Sequence, residues 1–312
     1  MSSNSEKIKV FPKVYFQGTF VPVEQAKISI MTHAFLYGTS VFEGIRAYWN
    51  KEKEKLYMFR ALEHFDRLKM SMKVLHMNLE QTSLDFLHLA KELLKINNPT
   101  QNAYIRPTVY KSSQRIGPAL LNNKDEFCMF AIPMGDYLDT SSGISVTVSN
   151  WRRIEDNAIP SRAKISGSYV NTALAKTDAL LGNFAESILL DEKGHVTEGS
   201  AMNIFMIKNK KLITTPVYEN ILEGITRSTV LELAEKELDY QTEIRTIDRS
   251  ELYTADELFF CGTGAQISPI TSVDYRELSN GKPGKLTLEI SDLYFNVVEN
   301  KIPKYSNWCT EV

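Results

Sequence analysis

Each thing this chain has little of removes a class of protein. Only three cysteines occur in 312 residues: Cys128, Cys261 and Cys309. They are odd in number, far apart and in no metal-ligand spacing, so free thiols in a reducing cytoplasm are expected rather than disulfides or a metal site. No apolar run approaches the roughly 20 residues of a membrane span. The stretch Met1 to Lys7 has no apolar core of the kind a signal peptide needs. One-sided charge is missing too: the net charge of -2 leaves no basic footprint for nucleic acid. There is no internal repeat and no low-complexity segment. What remains is a cytoplasmic globular protein long enough for two domains.

Several elements are legible along the chain. Val10 to Val23 reads as a strand pair turning at Gln17-Gly18, and Ile28 to Met31 as a further short strand. Leu62, Phe65, Leu68, Met72 and Leu75 share one face of an amphipathic helix. At about 100° per residue His64 and Arg67 fall off that stripe, which by itself leaves Arg67 in water. A second helix runs from Leu84 to Ile96 and stops before Pro99. Ala103 to Tyr110 is a strand whose Pro107 predicts an edge or a bulge. Met134 to Gly143, rich in turn residues, is the linker candidate. The predicted organisation is α+β: residues 1–133 form a small domain, 134–142 a linker, and 143–312 a larger domain.

The chemistry concentrates in the second half. Lys164 lies among small residues in Ser161-Arg162-Ala163-Lys164-Ile165-Ser166-Gly167-Ser168, with Tyr169 five positions on. Glu198 follows in Thr197-Glu198-Gly199-Ser200. An amine, a phenol and a carboxylate are what an enzyme needs to hold pyridoxal phosphate, the amine as Schiff-base former and the acid as partner of the ring nitrogen. A carboxylate about 4 Å from that nitrogen is worth about 4 kcal/mol at an effective dielectric of 20, enough to keep the ring protonated near neutral pH. The rival lysine, Lys176, sits mid-helix beside Thr177 and Asp178 and reads as a solvated face. Gly224 before the helix opening at Ile225-Thr226-Arg227 suits an anion on free backbone N–H groups. The same residues also suit an ordinary threonine-capped helix. Gly262-Thr263-Gly264-Ala265 lacks the third glycine of a dinucleotide fingerprint and reads as a small loop.

From about Val21 to the Gly262 loop, the chain resembles the branched-chain amino-acid aminotransferases. The residues carrying the likeness are Tyr37-Gly38, Val41-Phe42-Glu43-Gly44-Ile45-Arg46, Glu63-His64 with Arg67-Leu68, Tyr104-Ile105-Arg106-Pro107, Ala163-Lys164 with Tyr169, Thr197-Glu198-Gly199-Ser200 with Asn203-Ile204-Phe205, Gly224-Ile225-Thr226-Arg227, and Gly262-Thr263. These are fold-type IV pyridoxal-phosphate enzymes with a D-amino-acid-aminotransferase-like fold. The resemblance implies a small α/β N-terminal domain and a larger pseudo-barrel C-terminal domain.

It also implies roles. Lys164 would be the catalytic Schiff-base lysine, Tyr169 the donor to the cofactor's phenolic oxygen, and Glu198 the partner of its ring nitrogen. Arg67, the N–H groups of Ile225 and Thr226, and Thr263 would hold the phosphate. Tyr104 and the Thr263 and Gly264 amides would bind the substrate carboxylate, with Arg106 orienting them. Phe42, Met134 and Tyr137 would line an apolar side-chain pocket, although plain core explains those three residues equally well. Tyr37 would come from a neighbouring subunit of a homodimer. The implied reaction moves the amino group of leucine, isoleucine or valine to 2-oxoglutarate, without a metal. Rival readings are a D-amino-acid or (R)-amine transaminase, an aminodeoxychorismate lyase, and a non-catalytic scaffold; the Tyr104-Ile105-Arg106-Pro107 run favours the branched-chain type.

Three departures bear on substrate range: Met134 where bacterial members commonly have tryptophan, Gly264 in place of a small alanine, and a more polar loop at Ser112 to Ile116. Arg115 in that loop is either solvated or a ligand for the side-chain carboxylate of glutamate or 2-oxoglutarate.

Overall fold

The computed structural model describes residues 9–135, 138 and 141–312. In chain order the strands and helices begin with β1 (Lys13–Phe16), β2 (Thr19–Pro22), α1 (His33–Tyr37), β3 (Ser40–Phe42), β4 (Ile45–Asn50) and β5 (Lys55–Phe59). Next come α2 (Ala61–Val74), α3 (Ser83–Asn97), β6 (Ala103–Lys111), β7 (Asp125–Pro133), β8 (Ile144–Arg152) and α4 (Tyr169–Leu181). Then follow β9 (Glu186–Leu190), β10 (Val196–Gly199), β11 (Asn203–Lys208), β12 (Lys211–Thr214) and α5 (Ile225–Glu237). The chain ends with β13 (Thr242–Ile244), β14 (Glu257–Gly262), β15 (Gln266–Val273), β16 (Arg276–Glu277), α6 (Lys285–Val298) and β17 (Cys309–Glu311).

Two α+β units result: 1–135 with 298–312, and 136–297. The first holds a sheet in the order β17-β5-β4-β6-β7-β1-β2, with β3 beside β6. Residues 298–312, expected in the second domain, belong to the first, because β17 pairs antiparallel with β5 through Cys309↔Phe59 and Glu311↔Tyr57. Ile28 to Met31 is not a strand; Ile30 stands 78% exposed and has no ladder to join. Pro107 is not at an edge either. On one side of β6, Phe42 faces Thr108 and Ile45 faces Ile105, so Pro107 lies where the partner strand is broken at Glu43-Gly44. A residue without an N–H loses nothing there, and its carbonyl still accepts from Glu43 N at 3.0 Å.

The second unit carries a mixed sheet in the order β10-β9-β8-β15-β14-β11-β12-β13, with β16 beside β15. Its β11–β12 hairpin turns at Asn209-Lys210, both at positive φ. Phe205 and Phe259 stack with centroids 5.1 Å apart on adjacent strands. Each such ring, removed from water, contributes about 1.5–3 kcal/mol, and the rigidity gained holds neighbouring polar residues of β10 and β11 in place.

Candidate active site

In the second unit, Lys164 leaves an irregular stretch in which Ala163 N donates to Pro160 O at 3.1 Å and Ile165 N to Ala163 O at 3.0 Å. One 3-10 turn over Ser166–Ser168 then delivers Tyr169 to the start of α4. The result is a hydrogen bond from Lys164 Nζ to the Tyr169 hydroxyl at 2.7 Å. Both side chains are half-buried. Lys176 is not the solvated lysine the sequence predicts: it pairs with the fully buried Glu186 at 2.9 Å and donates to Ala185 O. Its charge is consumed in tying α4 to β9.

Glu198 lies on β10 and is 4% exposed. Arg153 Nη2 reaches its Oε1 at 2.8 Å, and Oε2 accepts from Asn203 Nδ2 at 3.0 Å and from Leu222 N at 3.3 Å. Arg153 also donates from Nε to Asn220 O at 3.0 Å, and Arg162 pairs with Glu223 at 3.3 Å. The segment that carries Lys164 and the acid on β10 are therefore tied to the same loop, residues 220–223.

That loop ends at Gly224, the residue preceding α5, which makes no side-chain cap. The threonine-capped alternative therefore does not hold, and the N–H groups of Ile225 and Thr226 begin the helix without one. Gly224 also has no room for a side chain: a Cβ would come 2.0 Å from Asn203 Oδ1. An uncapped helix start beside a close backbone approach can receive an anion. Arg227 in the same turn is buried and donates to Thr215 O at 2.9 Å, and burial lowers its pKa. Thr263 and Gly264 form the half-buried turn between β14 and β15. A Cβ on Gly264 would meet nothing within 4 Å.

The first unit gathers a second group. Tyr104 and Arg106 lie on β6, and Arg106 donates to the Tyr104 hydroxyl from Nε at 3.2 Å and Nη2 at 2.8 Å. The guanidinium also sits 4.3 Å from the centroid of the Phe42 ring. Gly44 presses its backbone against this group, since a Cβ there would fall 2.2 Å from the Tyr104 oxygen. Tyr37 ends α1; its hydroxyl accepts from Gly117 N at 2.8 Å, and its ring remains 38% exposed. Met134 is held by its N–H to Asn102 O at 3.1 Å. Tyr137 lies outside the described residues.

Arg67 is not in water, as periodicity alone suggests. It is 12% exposed and grips the fully buried Glu43 with Nε at 2.7 Å and Nη2 at 2.9 Å, while His64 Nδ1 bonds Glu43 Oε2 at 2.8 Å. Burial alone would raise the Glu43 pKa; the Arg67 charge and the two side chains' hydrogen bonds outweigh it and hold the acid well below its ordinary value. Sequence reasoning gave Glu43 no role. The available signal was a lone acid in the apolar run Val41 to Ile45, followed by two off-stripe basic residues one helical turn apart. Arg153 was missed as well, and nothing in Trp151-Arg152-Arg153 marks which arginine turns inward.

The chain matches the family model described as "Amino-transferase class IV" over residues 40–273. It is 48% identical over 298 residues to a probable branched-chain-amino-acid aminotransferase of Aquifex aeolicus, covering 96% of each chain. It is 35% identical to the branched-chain-amino-acid aminotransferase of Escherichia coli K12, covering 96% of this chain and 97% of the relative. Among solved structures it superposes with a TM-score of 0.93, at 32% identity and 97% coverage of this chain and 98% of the other, on the branched-chain amino acid aminotransferase of Thermobaculum terrenum in its PLP-form. The branched-chain aminotransferase of Thermoproteus uzoniensis with norvaline gives 0.92 at 37% identity, with 97% and 99% coverage.

Proposed function

This chain belongs to the class IV aminotransferases, and from that premise we propose that it moves the amino group of leucine, isoleucine or valine to 2-oxoglutarate, releasing the branched-chain 2-oxo acid and L-glutamate. Its cofactor is pyridoxal 5'-phosphate. The second unit fits that group on chemical grounds: a half-buried lysine bonded to a phenol, an acid held by an arginine, and a helix start without a side-chain cap. When bound, the cofactor supplies the electron sink that acidifies the substrate Cα–H.

The chain's own residues do the rest. Lys164 attaches the cofactor and moves the Cα proton, with Tyr169 holding its Nζ and the phenolic oxygen beside it. Glu198 keeps a proton on the ring nitrogen. On the second unit the N–H groups of Ile225 and Thr226 and the Thr263 hydroxyl are donors for the phosphate, and on the first Arg67 offers it a charge; anchoring the phosphate fixes the ring for proton transfer. For the substrate carboxylate the first unit offers Tyr104, oriented by Arg106, and the second the Thr263 and Gly264 amides. Phe42, Met134 and Tyr137 favour an apolar side chain, which gains by burial.

A homodimer in the cytoplasm completes the reading, with Tyr37 serving the neighbouring subunit. The exposed apolar run Ile28, Ile30, Met31, Phe35, Leu36 and Tyr37 supports an interface, and the three free cysteines support a reducing compartment. Among the described residues no helix is long and apolar enough to cross a membrane.

The observation that carries the reading is the 2.7 Å bond between Lys164 and Tyr169 on a segment tied to the same loop as Glu198. The test is to add L-leucine and, separately, D-alanine to the purified holoenzyme and follow the visible band of bound cofactor. Leucine alone should bleach it. Bleaching by D-alanine alone would make this a D-specific enzyme, and bleaching by neither would remove the proposed activity.

A further inference from the structure

We propose that Arg153 is a positioning residue for transamination, acting through Glu198 to keep the shared proton on the cofactor's ring nitrogen rather than on the acid. The proposal rests on the reading of Glu198 as partner of that nitrogen.

Arg153 follows β8 directly, and its backbone N–H is held by Leu190 O at 2.8 Å, which fixes where the side chain starts. Its guanidinium is then gripped at two points, by Asn220 O on Nε at 3.0 Å and by Glu198 Oε1 on Nη2 at 2.8 Å. Asn220 is itself pinned: its Nδ2 donates to Glu155 Oε2 at 2.8 Å, and its Oδ1 accepts from Asp156 N at 3.2 Å. The arginine is thus braced from its own strand and from the loop opposite, and the brace is nearly dry, with Arg153 and Glu198 side chains 10% and 5% exposed.

Two effects compete at such a pair. A cation beside Glu198 weakens the acid's pull on any other positive group, which works against a protonated ring. It also stabilises the carboxylate against taking a proton, which works for it. A charge acts most strongly on the group it touches, because Coulomb energy falls with distance. Arg153 touches Glu198, so the second effect wins. Asn203 and Leu222 N hold the other carboxylate oxygen but carry no charge; Arg227 acts on Glu198 by charge as well, but its Nη2 is turned to Thr215 O, whereas Arg153 bonds the acid directly. Without Arg153, a dry carboxylate would hold the proton itself, and the ring would lose its power as an electron sink.

The experiment uses holoenzyme loaded with ¹⁵N-labelled pyridoxal phosphate. In Arg153→Gln the ring-nitrogen shift should move toward that of a neutral pyridine, with kcat for L-leucine down roughly 10- to 100-fold and KM changed less than about threefold. Arg153→Lys should recover part of both. A cofactor analogue with CH in place of the ring nitrogen should erase the difference between wild type and Arg153→Gln, an outcome that a merely structural role would not produce. An unmoved nitrogen shift, or a kcat deficit that persists with the analogue, overturns the proposal. If Arg153→Gln does not fold, Arg153→Lys carries the same readout: a partial shift supports the proposal and an unmoved one overturns it. Glu198→Gln separates the two readings. If it also leaves the nitrogen shift unmoved, the assignment of Glu198 fails; if it moves the shift while the Arg153 variants do not, only the role of Arg153 fails.

Discussion

Glu43 in the first unit and Glu198 in the second are both buried acids facing an arginine from another segment, yet their surroundings differ. Glu43 is gripped mainly from one helix: Arg67 takes both of its oxygens and His64 adds a third bond, both from α2, while Gly44 N adds a longer one at 3.3 Å. Glu198 is instead held by donors from separate segments, an arginine, an amide and a backbone N–H, with Arg153 reaching it through a single nitrogen. A carboxylate gripped bidentately by a neighbouring helix joins that helix to the sheet and fixes the arginine, here the proposed phosphate ligand. One approached by single donors from several directions has its orientation set, which is what chemistry requires.

Each half of this contrast can be pressed. The largest effect should come from Lys164→Ala. We expect turnover to fall by at least ~10³-fold, while cofactor stays bound through dialysis and the melting temperature barely moves. Full activity in that variant would put the covalent attachment elsewhere.

Next is Glu43→Gln, which leaves Arg67 buried without its anion. Breaking a buried pair from one side costs about 3–5 kcal/mol, read as a lower denaturant midpoint, whereas Glu198→Gln should cost less stability and more turnover. Equal stability losses would erase the contrast. Acid sharpens it. The Glu43 pKa is held below its ordinary 4.5, so the contribution of the pair is complete above that value and is lost as pH falls beneath it. The midpoints of wild type and Glu43→Gln should therefore converge as pH drops below 4.5, and a constant gap would show that the pair does not titrate this way.

Gly224→Ala presses both on Asn203, which holds Glu198, and on the helix start that would receive the phosphate, since the new methyl would meet Asn203 Oδ1 at 2.0 Å and Arg227 Cβ at 3.2 Å. About tenfold weaker cofactor affinity is expected, with little loss of fold; unchanged affinity in apoenzyme titrations would mean that the close approach has no function. The smallest change belongs to Arg115→Ala. Arg115 is half-buried and donates at 3.3 Å to Leu121 O and Asn122 O of its own loop. The 2-oxoglutarate KM should stay within about twofold, as for an ordinary surface arginine; a larger rise would give Arg115 the substrate carboxylate.

Much of this was readable in one dimension because it is local. The α2, α3 and α5 helices announce themselves by a 3.6-residue period, and the Asn209-Lys210 turn by residues that tolerate positive φ. Lys164 and Tyr169 lie close enough in sequence for one turn to join them. Long-range choices were not readable. Ile28 to Met31 has strand composition but no strand to pair with. Pro107 fits inside the sheet because Glu43-Gly44 interrupts its neighbour, which no property of Pro107 foretells. Lys176 looks solvated until Glu186 arrives from β9.

The order and chemical types of the residues were therefore enough to specify most of the elements, the family and the acid, amine and phenol proposed for the reaction, since periodicity and short spacing act through neighbouring atoms. Which arginine answers which glutamate, and that Glu186 claims Lys176, was decided only by the packed molecule. A buried charge must find its partner in space, and the chain path that brings the two together is set by sheet pairing far away in sequence.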